Sequence, residues 1–292
     1  MLELDHLVRR FGDAVAVDDV SFGVTPGVMT GFVGGNGAGK TTTMRMIMGV
    51  LALHGGEVRW NDRPVTAADR RTFGYMPEER GLYPKQPVLD QLVYLARLRG
   101  VSASEARRRG AELLERFDLG GRAKDKLEAL SLGNQQRVQI AAAVISRPEV
   151  LILDEPFSGL DPAAVDSMAE LLREYTAQGV PVLFSSHQLD LVERLCDQLV
   201  ILARGKVVGQ GSVERLRGGG RLLYRLVLGG DASWLGEYTG VGVVESNGSS
   251  ALLELTGAST DDLLAEALRR GSVREFAEVR PSVSEIYREV TA

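Results

Sequence analysis

Residues 34–41 form the segment that most constrains the fold of this chain. They read Gly-Gly-Asn-Gly-Ala-Gly-Lys-Thr and fill every fixed position of the pattern G-x-x-x-x-G-K-[ST]. The apolar run at residues 29–33 predicts a buried strand, and residues 42–48 predict a helix, so the segment has the strand–loop–helix context that the pattern requires. Glycines let backbone N–H groups surround an anion at a helix N-terminus. The segment therefore predicts a loop that binds nucleotide phosphates; the alternative is a glycine-rich turn that binds nothing.

Side chains in two segments have expected chemical roles. Lys40 supplies a positive charge for the β- and γ-phosphates, and the Thr41 hydroxyl can complete the coordination shell of Mg²⁺. The apolar strand at residues 150–153 ends in Asp154 and Glu155, at the sheet edge where α/β proteins bind ligands. We expect Asp154 to hold Mg²⁺, directly or through water, and Glu155 to polarise the attacking water as general base. Taken alone, this segment is equally compatible with a strand that ends in a solvated acidic turn. The expected nucleotide contacts of the loop are Gly34, Gly35, Asn36, Gly37, Ala38, Gly39, Lys40, Thr41 and Thr42.

The composition excludes several classes of protein. A chain of 292 residues with 44% hydrophobic and 25% charged residues suits one large or two modest soluble domains. The net charge of −5, without a basic stripe, disfavours nucleic-acid binding as the main activity. Cys196 is the only cysteine, which excludes an internal disulfide and favours a reducing compartment. No apolar run is long enough to span a bilayer, and the N-terminus lacks the layout of a signal peptide.

Periodicity along the chain predicts two domains. Alternating residues at 2–8 and 15–24 predict an antiparallel β layer, and the helical patterns at 88–99, 102–117 and 130–145 predict a helical subdomain over residues 88–147. Ser102 and Glu105 are expected to form a capping box. The glycine run at 218–220 predicts a boundary between a domain at 1–217 and one at 221–292. In the second domain, strands at 221–228, 241–245, 251–255 and 273–279, helices at 233–238 and 260–270, and a last helix capped by Ser282 and Glu285 predict a ferredoxin-like α+β module.

Three further motifs complete a resemblance to a known family. Residues 130–136 read Leu-Ser-Leu-Gly-Asn-Gln-Gln, residues 158–161 read Ser-Gly-Leu-Asp, and residues 185–187 read Ser-Ser-His. Together with the phosphate loop and the two carboxylates, they resemble the signature segment, D-loop and switch histidine of ABC transporter ATP-binding subunits, over residues 1 to about 215. The resemblance implies an α/β P-loop NTPase fold with an antiparallel β layer and a helical subdomain. It also implies ATP and Mg²⁺ as ligands.

The resemblance assigns roles to five more residues. It implies a head-to-tail homodimer in which Ser131 and the Gly133 backbone of one subunit close over the γ-phosphate held by the other. Ser131 also stands where a helix N-cap belongs, and its helix would point its positive end at an anion. His187 is expected to sense the γ-phosphate, with a satisfied core histidine as the alternative. Asp161 would couple the two sites, and Phe11 would stack on adenine, although a plain core role is the alternative for Phe11.

The chain departs from the family pattern at three positions. Glu78 stands where the family normally carries a glutamine, so its carboxylate is expected to ligate Mg²⁺ and to add negative charge near Asp154 and Glu155. In the signature segment, Leu132 replaces a glycine and Asn134 replaces a glutamine. Because Ser131 and Gly133, the pair expected to contact the anion, are retained, ATP-driven closure is expected to survive, while the rate of hydrolysis stays open.

Three functional classes follow from these motifs. The segment around Glu78 and the additional C-terminal module resemble the ABC-2-type exporter branch, which implies a motor that couples ATP-driven dimer closure to separate transmembrane permease subunits. Such a subunit would be cytoplasmic and peripheral on the inner face of the cell membrane. A soluble ABC ATPase acting on nucleic acid or ribosomes, or an importer ATPase, is the alternative. The transported substrate is left open by the sequence.

Overall fold

The computed structural model describes residues 1–79, 81–218, 223–279 and 282–291. These residues form two compact units, Met1–Val213 and Glu214–Val290. The strands of the first unit are β1 (Leu2–Phe11), β2 (Ala14–Val24), β3 (Met29–Val33), β4 (Gly55–Trp60), β5 (Arg63–Pro64), β6 (Phe73–Met76), β7 (Val150–Leu153), β8 (Val182–Ser186), β9 (Gln198–Ala203) and β10 (Lys206–Ser212). Its helices are α1 (Lys40–Ile47), α2 (Ala67–Thr72), α3 (Val88–Leu98), α4 (Ala103–Arg116), α5 (Leu132–Val144), α6 (Pro162–Ala177) and α7 (Leu189–Leu195), and α8 (Val213–Gly218) follows at the division between the units.

A six-stranded sheet organises the first unit. Its strand order is β10-β9-β3-β8-β7-β6, and every neighbouring pair except β10 and β9 is parallel. All residues of β3, β7 and β8 are buried, as expected for parallel strands covered on both faces. These three strands are neighbours, so their carboxyl ends meet at one edge of the sheet. The phosphate loop, the two carboxylates and the Ser-Ser-His segment therefore lie side by side.

The antiparallel layer predicted from alternation is confirmed. Strands β2, β1, β4 and β5 form a four-stranded antiparallel sheet in that order. Its apolar side chains belong to the same core as those of α1 and β3. Phe22 of the antiparallel layer contacts Phe32 of β3, with ring centroids 5.2 Å apart. This packing places the antiparallel layer against the strand that precedes the phosphate loop.

The three predicted helices of the helical subdomain are present as α3, α4 and α5. Only one of the two hydrogen bonds of the capping box predicted at the start of α4 is present, so that prediction is wrong in part. The Ser102 hydroxyl accepts a hydrogen bond from the Glu105 N–H at 3.4 Å, but the Glu105 carboxylate does not return to Ser102. It binds the guanidinium groups of Arg108 and Arg109, which compete for it on the same helix face.

The second unit has the strand order of a ferredoxin-like fold. Its elements are β11 (Leu223–Leu228), a 3₁₀ turn (Ser233–Glu237), β12 (Val241–Asn247), β13 (Ser250–Leu255), α9 (Thr260–Arg270), β14 (Val273–Val279) and α10 (Val283–Thr291). The sheet is antiparallel in the order β12-β13-β11-β14. Strand β13 therefore lies between β11 and β12, and β11 lies between β13 and β14. The predicted capping box of Ser282 and Glu285 is confirmed.

Two predictions for the second unit need correction or fall outside the structure. The α-helix predicted at residues 233–238 is a 3₁₀ turn, which contains Gly236 and begins where Ser233 binds the Asp231 carboxylate. Side chains such as Asp231 favour turns over helix by this kind of local bonding. Arg221, the predicted start of the first strand, and Gly219 and Gly220 of the predicted boundary lie outside the described residues.

Candidate nucleotide-binding site

A cavity of about 560 Å³ lies at the sheet edge where β3, β7 and β8 end. Most of the residues predicted from the sequence line it together. Phe11, Gly34, Ser131, Gly133 and Asp161 are not among the lining residues, although Leu132, which lies between Ser131 and Gly133, and Gly159, two residues before Asp161, are. The lining residues are Ala16, Gly35, Asn36, Gly37, Ala38, Gly39, Lys40, Thr41, Thr42, Glu78, Leu132, Gln136, Asp154, Glu155, Ser158, Gly159 and His187.

The phosphate loop requires glycine at its junction with α1. Gly39 has a φ of 107°, and a Cβ at this position would lie 2.5 Å from the backbone oxygen of Ala16. Within the described part of the chain no side chain caps α1, whose N-cap is Gly39, so the N–H groups of its first turn have no side-chain cap. The Lys40 ammonium lies inside the loop, 2.6 Å from the Gly34 oxygen and 3.3 Å from the Gly35 oxygen. This arrangement concentrates N–H donors and one positive charge, as a phosphate group requires.

Asp154 is fully buried at the end of β7. Its Oδ1 accepts a hydrogen bond from the Ser185 hydroxyl at 2.6 Å, whereas its Oδ2 has no hydrogen-bond partner among the described residues. Burial raises the pKa of Asp154, and the hydroxyl groups of Ser185 and Thr41 oppose this rise. A buried carboxylate oxygen without a donor is destabilising unless a ligand satisfies it. Asp154 is therefore suited to hold a cation at the cavity.

Glu78 lies next to Asp154, as the sequence predicted. The Thr41 hydroxyl donates to Glu78 Oε2 at 3.3 Å, and the Glu78 charge contributes to the raised pKa of Asp154. Within the described residues, no group of three histidine, cysteine or acidic side chains is arranged to hold a metal ion. Two carboxylates and one hydroxyl are the oxygen donors that this part of the cavity offers.

Glu155, the residue after Asp154, has an unusual backbone conformation. Its φ of 51° lies in the left-handed region. Its carboxylate side chain is 13% exposed, and Oε2 lies 2.9 Å from Nδ1 of His187, which is 55% exposed. The Glu155 carboxylate and the His187 imidazole are therefore within hydrogen-bonding distance of each other at the cavity, a contact that the sequence analysis did not predict.

The signature and D-loop segments approach each other beside the cavity. Ser131 is the N-cap of α5 and is exposed, and its hydroxyl accepts from the Asn134 N–H at 3.4 Å. A Cβ on Gly133 would lie 3.3 Å from the Gly159 oxygen. Asp161 caps α6 by accepting from the Ala164 N–H at 2.8 Å, so within one subunit its carboxylate has a local role.

Phe11 lies at the end of β1, outside the cavity lining. Its side chain is 48% exposed, and the Arg9 guanidinium lies 4.8 Å from the ring centroid. The alternative that Phe11 is a core residue is therefore wrong. An exposed ring is what a stacking platform requires.

Six residues of the site were not predicted from the sequence: Ala16, Leu132, Gln136, Ser158, Gly159 and Ser185. Ala16 lines the cavity from β2, and no pattern in the sequence indicates this. Ser185 hydrogen-bonds both carboxylate-bearing residues, and Gln136 contacts the backbone that follows Asp154. Both stand inside segments that were recognised as motifs, and the signal that could have singled out Ser185 is a polar residue at the end of a continuous apolar strand.

The fold and this site define the chain as a P-loop NTPase. A family model described as "ABC transporter" matches residues 17–158, and one described as "ATP-binding protein DrrA1-3-like, C-terminal domain" matches residues 211–291. The chain is 41% identical over 289 residues to the uncharacterized ABC transporter ATP-binding protein YhaQ of Bacillus subtilis, covering 98% of this chain and 97% of the relative. It is 35% identical over 218 residues to the Nod factor export ATP-binding protein I of Paraburkholderia xenovorans, covering 74% and 72%.

A solved structure of an ATP-binding subunit of an ABC transporter has the same fold. It aligns with a TM-score of 0.69 at 32% identity, over 92% of this chain and 99% of the other. The chain belongs to the family of ABC transporter ATP-binding proteins, whose cassette binds and hydrolyses ATP. Across the described ranges of the chain, none of the helices has the length and apolar character needed to cross a bilayer.

Proposed function

We propose that this chain is the ATPase motor subunit of an exporter. ATPase activity is supported by the cavity at the ends of β3, β7 and β8. Backbone N–H groups that can hold a phosphate, two carboxylates and a histidine meet there. The full-length similarity to an ABC transporter ATP-binding protein supports the transport half, and the similarity to a relative named for Nod factor export supports the direction. The proposed ATP-binding domain spans residues 1–217, and residues 221–292 are an accessory domain.

Mg²⁺ is the proposed metal. The residues present fit it, because Asp154 Oδ2 is buried without a donor while the Thr41 hydroxyl and Glu78 supply further oxygens. Mg²⁺ is bound in nucleotide sites through one or two carboxylates together with the phosphates of the substrate, so a set of two carboxylates is sufficient. When bound, the ion would neutralise negative charge on the β- and γ-phosphates.

The residues of the chain divide the work of hydrolysis. The loop N–H groups and Lys40 hold the phosphates, and Phe11 offers its exposed ring to adenine. Glu155 accepts a proton from the attacking water as the oxygen of that water bonds to the γ-phosphorus. The bond from that phosphorus to the bridging oxygen breaks, and ADP leaves with the bond's electron pair. His187 lies beside Glu155, and its proposed role is to contact the γ-phosphate.

The active form is proposed to be a homodimer with shared sites. Ser131 and Gly133 lie at the start of α5, where the positive end of the helix is exposed, and Asp161 is close to the same surface. In a head-to-tail dimer these residues would face the nucleotide of the other subunit. Closure over ATP would then be transmitted to separate transmembrane permease subunits, which would hold the protein on the inner face of the membrane.

The shared site is tested by trapping the dimer. The Glu155→Gln variant with ATP and Mg²⁺ should elute as a dimer in size-exclusion chromatography with light scattering, because hydrolysis no longer separates the subunits. Adding Ser131→Arg should abolish this dimer while leaving ATP binding by the monomer intact. A Ser131→Arg single variant that stays monomeric but hydrolyses ATP at the full rate would contradict the shared site.

The direction of transport has a separate test. The neighbouring gene should encode an exporter-type membrane protein, and the two proteins should co-purify in detergent. A neighbouring permease accompanied by a substrate-binding protein would indicate an importer instead.

A further inference from the structure

The backbone of Glu155 is held on two sides by side chains that the mechanism above does not use. Its φ of 51° is a conformation that residues other than glycine rarely adopt, and such residues persist only where their surroundings fix them. One contact comes from β8 and the other from α5. We propose that Ser185 and Gln136 are positioning residues that clamp the Glu155 backbone and thereby aim its carboxylate, an inference that rests on the proposed role of Glu155 as general base.

Ser185 holds the N–H side of Glu155. Its hydroxyl oxygen lies 2.8 Å from the Glu155 nitrogen and accepts its hydrogen, and the same hydroxyl donates to Asp154 Oδ1 at 2.6 Å. A hydroxyl has one hydrogen, so donation to Asp154 leaves its lone pairs for Glu155. Ser185 is fully buried. One group therefore fixes the positions of both carboxylate-bearing residues relative to each other.

Gln136 holds the carbonyl side. Its Nε2 lies 3.0 Å from the Glu155 oxygen and 3.1 Å from the Pro156 oxygen, and its side chain is buried. A glutamine amide has two N–H hydrogens, so both bonds can be made at once. The Ser158 N–H also donates to the Glu155 oxygen, at 3.2 Å. Only the Gln136 contact comes from a different subdomain.

The clamp connects Glu155 to the signature helix. Gln136 lies on α5, five positions after the N-cap Ser131, which corresponds to about 7.5 Å along the helix axis. A rigid helix moves as one body, so a displacement of its N-terminus also displaces the Gln136 amide. Since a misplacement of about 1 Å at a reacting group can reduce a rate about 100-fold, this contact can make hydrolysis depend on the position of α5.

The test compares two glutamines on the same helix. Gln136→Leu and, as a second variant of similar shape, Gln136→Glu both remove the two donated bonds. Gln139→Leu is the matched control, because Gln139 is buried on α5 and its amide has no hydrogen-bond partner among the described residues. Ser185→Ala removes the second contact, and Ser185→Thr restores a hydroxyl. Steady-state ATPase kinetics and titration with a fluorescent ATP analogue are measured for all, with circular dichroism to show folding.

We expect a fall in kcat of about 10- to 100-fold for both Gln136 variants and for Ser185→Ala, because each leaves the carboxylate misaligned. The dissociation constant for the ATP analogue should change less than twofold. Ser185→Thr should recover most of the rate, and Gln139→Leu should match the wild type. In a Glu155→Gln background, measured by single turnover, the same changes should lower the residual rate less than twofold, since the group they position is gone.

Three results would overturn the inference. The first is a normal kcat in a folded Gln136→Leu or Gln136→Glu protein. The second is an equal fall in the Glu155→Gln background, which would indicate a general structural role. The third is a loss of nucleotide affinity in proportion to the rate. If Glu155→Gln alone keeps the full kcat, the proposed general base fails, and the clamp fails with it; if only the Gln136 and Ser185 variants are normal, the clamp alone fails.

Discussion

Replacing Gln139 by leucine should make the first unit more stable. The Gln139 side chain is 4% exposed on α5, and neither its Nε2 nor its Oε1 has a hydrogen-bond partner among the described residues. Burying an amide without such bonds is unfavourable by about 1–3 kcal/mol, and leucine has a similar volume and a high helix propensity. We therefore expect the free energy of unfolding to rise by about 1–3 kcal/mol. At about 2–4 °C per kcal/mol for a unit of this size, Tm should rise by roughly 2–12 °C.

The neighbouring glutamine gives the opposite expectation. Gln136→Leu leaves the backbone oxygen of Pro156 without the bond it receives from Gln136, so the free energy of unfolding should fall by about 1–3 kcal/mol. Urea denaturation followed by circular dichroism and differential scanning calorimetry measure both changes. A Gln139→Leu protein that unfolds at a lower temperature than the wild type would refute the reasoning, because it would show that the Gln139 amide is satisfied in the folded protein.

Three further substitutions test the site. Gly39→Ala should weaken ATP binding at least about tenfold in a fluorescence titration, since its Cβ would lie 2.5 Å from the Ala16 oxygen at a φ of 107°; unchanged affinity would contradict the loop geometry. Glu78→Gln should raise the Mg²⁺ concentration for half-maximal ATPase activity about tenfold, because it removes a carboxylate beside Thr41; an unchanged requirement would show that Glu78 does not hold the metal. The Glu155→Asn variant should have a free energy of unfolding about 1 kcal/mol higher than that of Glu155→Gln in urea denaturation, because asparagine tolerates a φ of 51° better; equal stability would remove the argument for backbone strain.

The parts of the fold that depend on residues close together in the sequence were predictable. The phosphate loop, the continuous apolar strands β7 and β8 and the helix starts at Ser131 and Ser282 depend on residues a few positions apart, and the structure contains each of them. The capping box at Ser102 failed because Glu105 has two guanidinium partners that a short motif does not consider. Local patterns fail where a second partner competes for the same group.

The contacts around Glu155 could not be read from the sequence for a different reason. Ser185 is 30 positions from Glu155 and Gln136 is 19 positions away, and the side chains meet only because α5 and β8 pack on either side of the loop after β7. No periodicity predicts such a meeting, since it depends on how helices and strands pack in three dimensions. The sequence motifs identified the segments that form the site, but the structure was needed to identify which residues within those segments contact Glu155.

The two carboxylates are placed in conditions that oppose folding. Asp154 is fully buried with Oδ2 lacking a donor, and Glu155 adopts a left-handed backbone. Residues in such conditions are held by a structure that is stable for other reasons, here the buried parallel sheet in which β7 lies between β6 and β8. The Ser185 hydroxyl binds both residues, so the group that donates to Asp154 Oδ1 also fixes Glu155. Neither condition favours folding, so we attribute the retention of both residues at the cavity to the chemistry proposed for them.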